Sequence, residues 1–145
     1  MAAAVSLEQA STIIDAALAK ARTQDLMPLT VAVLDPGGHL VALKREDNSG
    51  ILRVEIATGK AWGALGMGFG SRELAERAAK APAFIDAIAA ASQGRLVPVP
   101  GGVLIRDADG QLLGAVGISG DVSDADEACA VAGIEAAGLA AQTGA

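Results

Sequence analysis

Val31-Ala32-Val33-Leu34-Asp35-Pro36-Gly37-Gly38-His39-Leu40-Val41-Ala42-Leu43 is an apolar run, a turn and a second apolar run. The chain repeats the device at Val103-Leu104-Ile105-Arg106-Asp107-Ala108-Asp109-Gly110-Gln111-Leu112-Leu113-Gly114-Ala115-Val116. Both turns read Asp-x-x-Gly-x-Leu. An Asp opening a type I turn bonds the backbone two residues on, and Gly at the fourth position takes positive φ without steric cost. Apolar runs flanking such a turn signal a β-hairpin. The strands expected are Val31–Asp35, Leu40–Lys44, Val103–Arg106 and Leu112–Ile118, in one antiparallel sheet.

The sequence around the hairpins reads as helix. Ser6 with Gln9 forms a capping-box arrangement, and Leu7, Ala10, Ile13, Ile14, Ala17, Leu18 and Ala21 follow at helical spacing. Lys44 to Gly50 is a polar crossing. A second helix is expected from Ile51, with an apolar stripe through Val54, Thr58, Ala61, Trp62 and Leu65, broken by Gly66, Gly68 and Gly70. Short helices are expected over Arg72–Ala79 and from Pro82. Ser123 is expected to cap a last helix, with Asp124, Asp126 and Glu127 in its first turn and its end near Ala140. Strands segregated from helices in this order imply an α+β fold: a central antiparallel sheet built from two hairpins and covered by helices. Residues 1–145 read as a single domain, long enough for a real core.

Composition narrows the function classes. A net charge of −6 argues against nucleic acid and gives no support for anionic membranes. No apolar run reaches the roughly 20 residues of a membrane span. The N-terminal residues lack a signal peptide's basic and apolar regions, so the expected location is cytoplasmic. One Cys and one His provide no zinc spacing, and no metal site is expected. The chain is acidic yet 52% hydrophobic, with Ala and Gly on several helix faces. Such faces suit close subunit packing, and a homo-oligomer is the expected partner state.

Several residues are candidates for chemistry. Gly66-Met67-Gly68-Phe69-Gly70 has the wrong spacing and context for a dinucleotide loop and reads as a glycine-rich connection. His39 follows a hairpin turn: it is a solvated side chain, or a ligand or acid/base group at a pocket rim. Cys129 lies among Ala128, Ala130 and Val131 and reads as a small buried hydrophobe more readily than a reactive thiol. Glu55 lies within about 40° of Ile51 and about 20° of Trp62 around the second helix. A carboxylate on that apolar face is either paired at the core's edge or lines a cavity. Lys60 falls on the opposite side, either solvated or serving a subunit or ligand surface. Arg45 and Asp47 follow directly on a strand, where binding groups are often placed. Gly101-Gly102 exposes backbone N–H groups that a ligand could approach. These residues define one expected pocket, with Glu55, Lys60 and His39 as catalytic candidates and Arg45, Asp47, Gly101 and Gly102 as ligand contacts.

The stretch Leu29 to Ala42 resembles the opening hairpin of the GlcG/HbpS-like proteins, a family related to the carboxy-terminal domain of the PduO proteins. Ile56-Ala57-Thr58-Gly59-Lys60-Ala61, Pro100-Gly101-Gly102-Val103-Leu104-Ile105, Leu113-Gly114-Ala115-Val116-Gly117-Ile118-Ser119-Gly120 and Asp126-Glu127 match its pattern in the expected order. The sequence departs from that pattern at Asp47-Asn48-Ser49-Gly50, where the family has Asp-Gly-Ala, and matches only loosely at Gly68-Phe69-Gly70-Ser71-Arg72. The resemblance implies an α+β fold, homo-oligomers and, in some members, binding, degradation or sensing of haem. Other members sit beside catabolic pathways. Two function classes follow: a haem-binding or haem-degrading accessory protein of a catabolic or redox-stress pathway, or a cofactor-independent enzyme using a Glu/Lys/His pocket on a small organic molecule.

Overall fold

The structure is a computed structural model and describes residues 3–145. Helix α1 (Leu7–Thr23) precedes the hairpin β1 (Thr30–Leu34) and β2 (Leu40–Arg45). Helices α2 (Arg53–Met67), α3 (Ser71–Lys80) and α4 (Pro82–Ala91) follow. The second hairpin is β3 (Gly102–Arg106) and β4 (Leu112–Ser119), then come α5 (Ser123–Ala136) and a short β5 (Ala140–Gln142). The sheet order is β2-β1-β4-β3-β5, and every pairing is antiparallel.

The two hairpins match down to single hydrogen bonds. Asp35 Oδ1 accepts the backbone N–H of Gly37 and His39, at 2.9 and 3.0 Å. Asp107 Oδ1 accepts those of Asp109 and Gln111, both at 2.9 Å. Gly38 and Gly110 have φ of 83° and 81°. Both registers slip one residue beyond the turn, between Val33 and Leu34 and between Ile105 and Arg106. These slips leave Val41 and Leu113 as extra residues, whereas at the turns themselves Gly38 N–H donates to Asp35 O and Gly110 N–H to Asp107 O, the type I turn with a glycine bulge whose twist suits a hairpin. The hairpins join through β1 and β4, from Thr30 opposite Ser119 to Leu34 opposite Ala115.

Strand alternation divides the core between the two sheet faces. Val31, Val33, Val103, Ile105, Val116 and Ile118 point to one side and bury against α1 and α5, with Ile13, Ile14, Cys129 and Ile134. Leu34, Leu104 and Ala115 point to the other and meet Ala61 and Ala64 of α2. The Ser6–Gln9 capping box forms in both directions, each bond 3.0 Å.

Three expectations need correction. Ser123 does not cap α5 with its side chain; the cap position belongs to extended Val122. Asp121 Oδ1 accepts the Val122 N–H there, at 2.8 Å. The last helix stops at Ala136 rather than near Ala140, and Ala140–Gln142 pairs with β3 as an edge strand. The third correction positions the site. Helix α2 does not turn its larger apolar stripe to the sheet. It buries Ala57, Lys60, Ala61 and Ala64 instead, and leaves Val54, Thr58 and Trp62 half-buried on its outer flank. The cause lies in the sheet. A Cβ on Gly117 would overlap the carbonyl oxygen of Ala57, and a Cβ on Gly102 would overlap that of Lys60. The helix backbone lies directly on strand glycines, and only small residues fit in so thin a layer.

Candidate functional site

The outer flank of α2 forms one wall of a cleft of about 550 Å³. Val54, Glu55, Thr58 and Trp62 come from the helix, Gly38 from the first hairpin turn, and Arg95 and Val97 from the segment after α4. Each wall is tied to α2. A Cβ on Gly38 would lie 3.2 Å from the Trp62 indole, so the turn packs against that ring. Val97 N–H donates to the carbonyl of Gly59 at 3.2 Å, holding the other wall. The Arg95 guanidinium stacks on Trp62, 4.1 Å from the ring centroid, and Arg95 Nε donates to Ser92 O at 3.2 Å. The result is a mostly apolar slot with an aromatic wall, an arginine at its mouth and Glu55 exposed on its rim.

His39 follows Gly38 at the cleft's edge. Its imidazole is largely exposed, and Nδ1 lies 3.2 Å from Asp35 Oδ1. The Asp35 carboxyl is held below its ordinary value, chiefly by the hydrogen bond from the His39 backbone. Sequence reading left His39 between a solvated side chain and a pocket-rim group, and Glu55 between a core-edge ion pair and a cavity wall; the structure exposes both, with Glu55 on the cleft rim and His39 one residue beyond the cleft-lining Gly38. Sequence reading missed Arg95 and Val97. A turn with positive φ at Gln93 and Gly94 directs Arg95 back onto α2, and nothing in the sequence shows where the returning chain lands.

The other candidate residues lie elsewhere. Lys60 is 2% exposed, underneath α2 rather than in the cleft. Its Nζ donates to Ile118 O at 2.8 Å and pairs with Asp126 Oδ2 at 3.3 Å. Asp126 Oδ1 accepts the Asp121 N–H at 3.0 Å. Burial pushes Lys60 below its ordinary pKa and Asp126 above its own, and each partner's charge partly offsets the other's shift. Gly101 and Gly102 are buried beside this pair. Gly102 N–H donates to Ser71 Oγ at 2.7 Å, so the donor expected to face a ligand is already used. Ser71 Oγ in turn donates to Val99 O at 2.6 Å. The glycines here make room for a helix.

Arg45 and Asp47 lie at the opposite end of β2 from His39. Arg45 lies five steps along the strand from Leu40, about 17 Å at roughly 3.3 Å per residue. They border a polar hollow of about 740 Å³ with Arg22, Lys44 and Glu46. Three of its charges are paired: Arg22 with Glu46 at 3.1 Å, and Lys44 with Asp15 of α1 at 2.7 Å. The single pocket expected from sequence is therefore three places: an apolar cleft, a buried ion pair and a polar hollow. Cys129 lies in the α1/α5 core, where burial raises its thiol pKa, the setting of an inert cysteine.

Among the described residues no cluster of His, Cys, Asp and Glu is arranged to hold a metal ion, and no helix is long and apolar enough to cross a membrane. A protein of 15.0 kDa from Citrobacter freundii, encoded between dhaT and dhaS and uncharacterised, is 28% identical over 86% of this chain and 85% of its own length. The crystal structure of a PduOC:heme complex superposes with a TM-score of 0.84 at 27% identity, over 94% of this chain and 96% of that one. A doubly substituted HbpS from Streptomyces reticuli superposes with a TM-score of 0.79 at 28% identity, over 93% of this chain and 88% of that one. Residues 5–135 match the family described as haem-degrading protein HbpS-like. With that match spanning both hairpins and all five helices, the chain belongs to the HbpS-like family.

Proposed function

We propose that this protein binds haem in the cleft along α2, with His39 as the iron ligand. The observation that carries the reading is an apolar slot of about 550 Å³ lined by Gly38, the residue before His39, whose imidazole Nδ1 is engaged by a carboxylate. Metal-ligating histidines characteristically have this partner on the second nitrogen. Haem iron takes His, Cys, Met or Tyr ligands. Cys129 is in the core, Met67 packs under α3 and α4, and the chain has no Tyr. Met27 is exposed, but it belongs to the Pro28–Asp121 end of the sheet. Among the described residues, His39 alone of these has an available donor atom next to a cleft-lining residue, Gly38.

The remaining residues have physical roles in that reading. Trp62, Val54 and Val97 provide apolar surface for a flat macrocycle and keep water from one face. Arg95 brings a positive charge to the mouth, suited to a carboxylate at the ligand's edge. Bound haem supplies an iron centre whose redox chemistry belongs to the porphyrin. The family's description and the haem-bound relative support this assignment. An accessory role in a catabolic or redox-stress pathway fits the same site. The acid/base enzyme reading needs Glu55, Lys60 and His39 in one pocket, and Lys60 lies buried beneath the helix.

Self-association belongs to the same proposal. Leu40, Ile51 and Leu52 are 57%, 86% and 63% exposed. Apolar side chains that open to water favour burial against a second copy. The location proposed is the cytoplasm, and the unit proposed is one domain over residues 1–145.

The test of the haem reading is a hemin titration followed by absorption. The parent is expected to develop a Soret band that saturates at one hemin per chain. His39→Ala is expected to bind at least tenfold more weakly, about 1.4 kcal/mol. Absence of a saturable band in the parent, or an unchanged His39→Ala titration, would reject the assignment.

A further inference from the structure

We infer that Asp35 is the positioning residue that sets the His39 imidazole in the form a metal needs. The inference rests on the haem reading and adds a residue to it. The two hairpins provide an internal comparison. Asp107 Oδ1 accepts two backbone N–H groups, from Asp109 and Gln111, which completes the turn. Asp35 Oδ1 accepts the two equivalent donors and also meets His39 Nδ1 at 3.2 Å. The turn does not need that third contact, because the second hairpin forms without it. A carboxylate oxygen only accepts, so the contact requires the proton on Nδ1. In water the neutral imidazole prefers its proton on Nε2. Asp35 reverses that preference and leaves the lone pair on Nε2. The ring is also held in place, since it folds back over Gly37: a Cβ there would come within 2.9 Å of His39 Cε1 and Nδ1. A surface histidine, one residue beyond the cleft-lining Gly38, thus becomes an oriented donor.

The chain has one histidine, so its ring nitrogens can be read without interference. Asp35→Asn keeps an oxygen for the turn and removes the charge. Asp107→Asn makes the same change where no imidazole is present. In the ligand-free protein, imidazole nitrogen shifts should report the Nδ1–H form in the parent and in Asp107→Asn. They should move toward the Nε2–H form in Asp35→Asn. Hemin should bind about 10-fold or more weakly to Asp35→Asn and with parental affinity to Asp107→Asn. Parental nitrogen shifts and parental hemin affinity in Asp35→Asn would overturn the role given to Asp35. If His39→Ala loses hemin while Asp35→Asn keeps it, the positioning role fails and the haem site stands. If His39→Ala keeps hemin, the haem reading itself fails.

Discussion

Replacing Lys60 with methionine is expected to lower the unfolding free energy by about 3–5 kcal/mol at neutral pH, because it leaves Asp126 charged and buried without its cation. For a chain of this size that is a fall in Tm of roughly 10 °C. Asp126 is 1% exposed, and its remaining bond from the Asp121 N–H satisfies only one oxygen. Lys60→Met with Asp126→Leu should recover most of the loss, since apolar groups of similar volume replace a buried pair at little cost. The pH dependence follows from the two shifts. The folded value of Asp126 is raised above its ordinary 3.8. Between those values the folded chain holds more protons than the unfolded one, so this group's contribution to stability falls as pH rises. Lys60 has its folded value lowered below 10.5. In that alkaline window the unfolded chain holds more protons, and stability rises with pH. Removing Lys60 takes away the charge that restrains Asp126, so the acidic window extends upward. The deficit of Lys60→Met should therefore shrink on acidification, as Asp126 takes up a proton. Denaturant melts from pH 4 to pH 8 check this. A variant as stable as the parent at pH 7 would show that the pair is not buried as described.

Gly117→Val is expected to cost about 3 kcal/mol, at the upper end of overpacking penalties. The added Cβ would overlap the Ala57 carbonyl and press on Ala61 Cβ at 3.0 Å. Backbone cannot rotate away as a side chain can, so α2 must lift from the sheet, and the cleft wall moves with it. Hemin affinity should fall alongside stability. Gly66→Ala supplies the opposite sign. It lies in the same helix with nothing within 4 Å of an added Cβ. Replacing a helical glycine there should stabilise by roughly 0.5–1 kcal/mol. Paired urea melts of the two variants read both effects.

What the sequence could reveal depended on how local the physics was. The hairpins were legible because turn chemistry and alternation act within a dozen residues, and both Asp side chains make the bonds their motif demands. The Ser6 cap was legible for the same reason. The face of α2 was not. Its larger residues, Val54 and Trp62, suggested the buried side, but the decision is made by Gly117 and Gly102, some forty to sixty residues away. The same glycines explain the misplaced pocket. Gly101-Gly102 was read as a place where a ligand approaches the backbone, and what approaches is helix α2 instead. Lys60 followed from that reversal, since the side taken for solvent is the sheet side. Strand β5 was missed because Ala140-Ala141-Gln142 carries no alternation and joins the sheet only through β3.

The central claim is that a porphyrin lies against α2 beside the first hairpin turn. Titration with gallium protoporphyrin, a diamagnetic stand-in for haem, tests it by ring-current shifts in the protein's NMR spectrum. The account predicts large shifts for the indole of Trp62, the chain's one tryptophan, with Gly38, His39, Val54 and Val97. Signals of Arg45, Asp47 and Asn48 around the polar hollow should stay in place. Shifts concentrated at that hollow, with Trp62 and Gly38 unmoved, would contradict it.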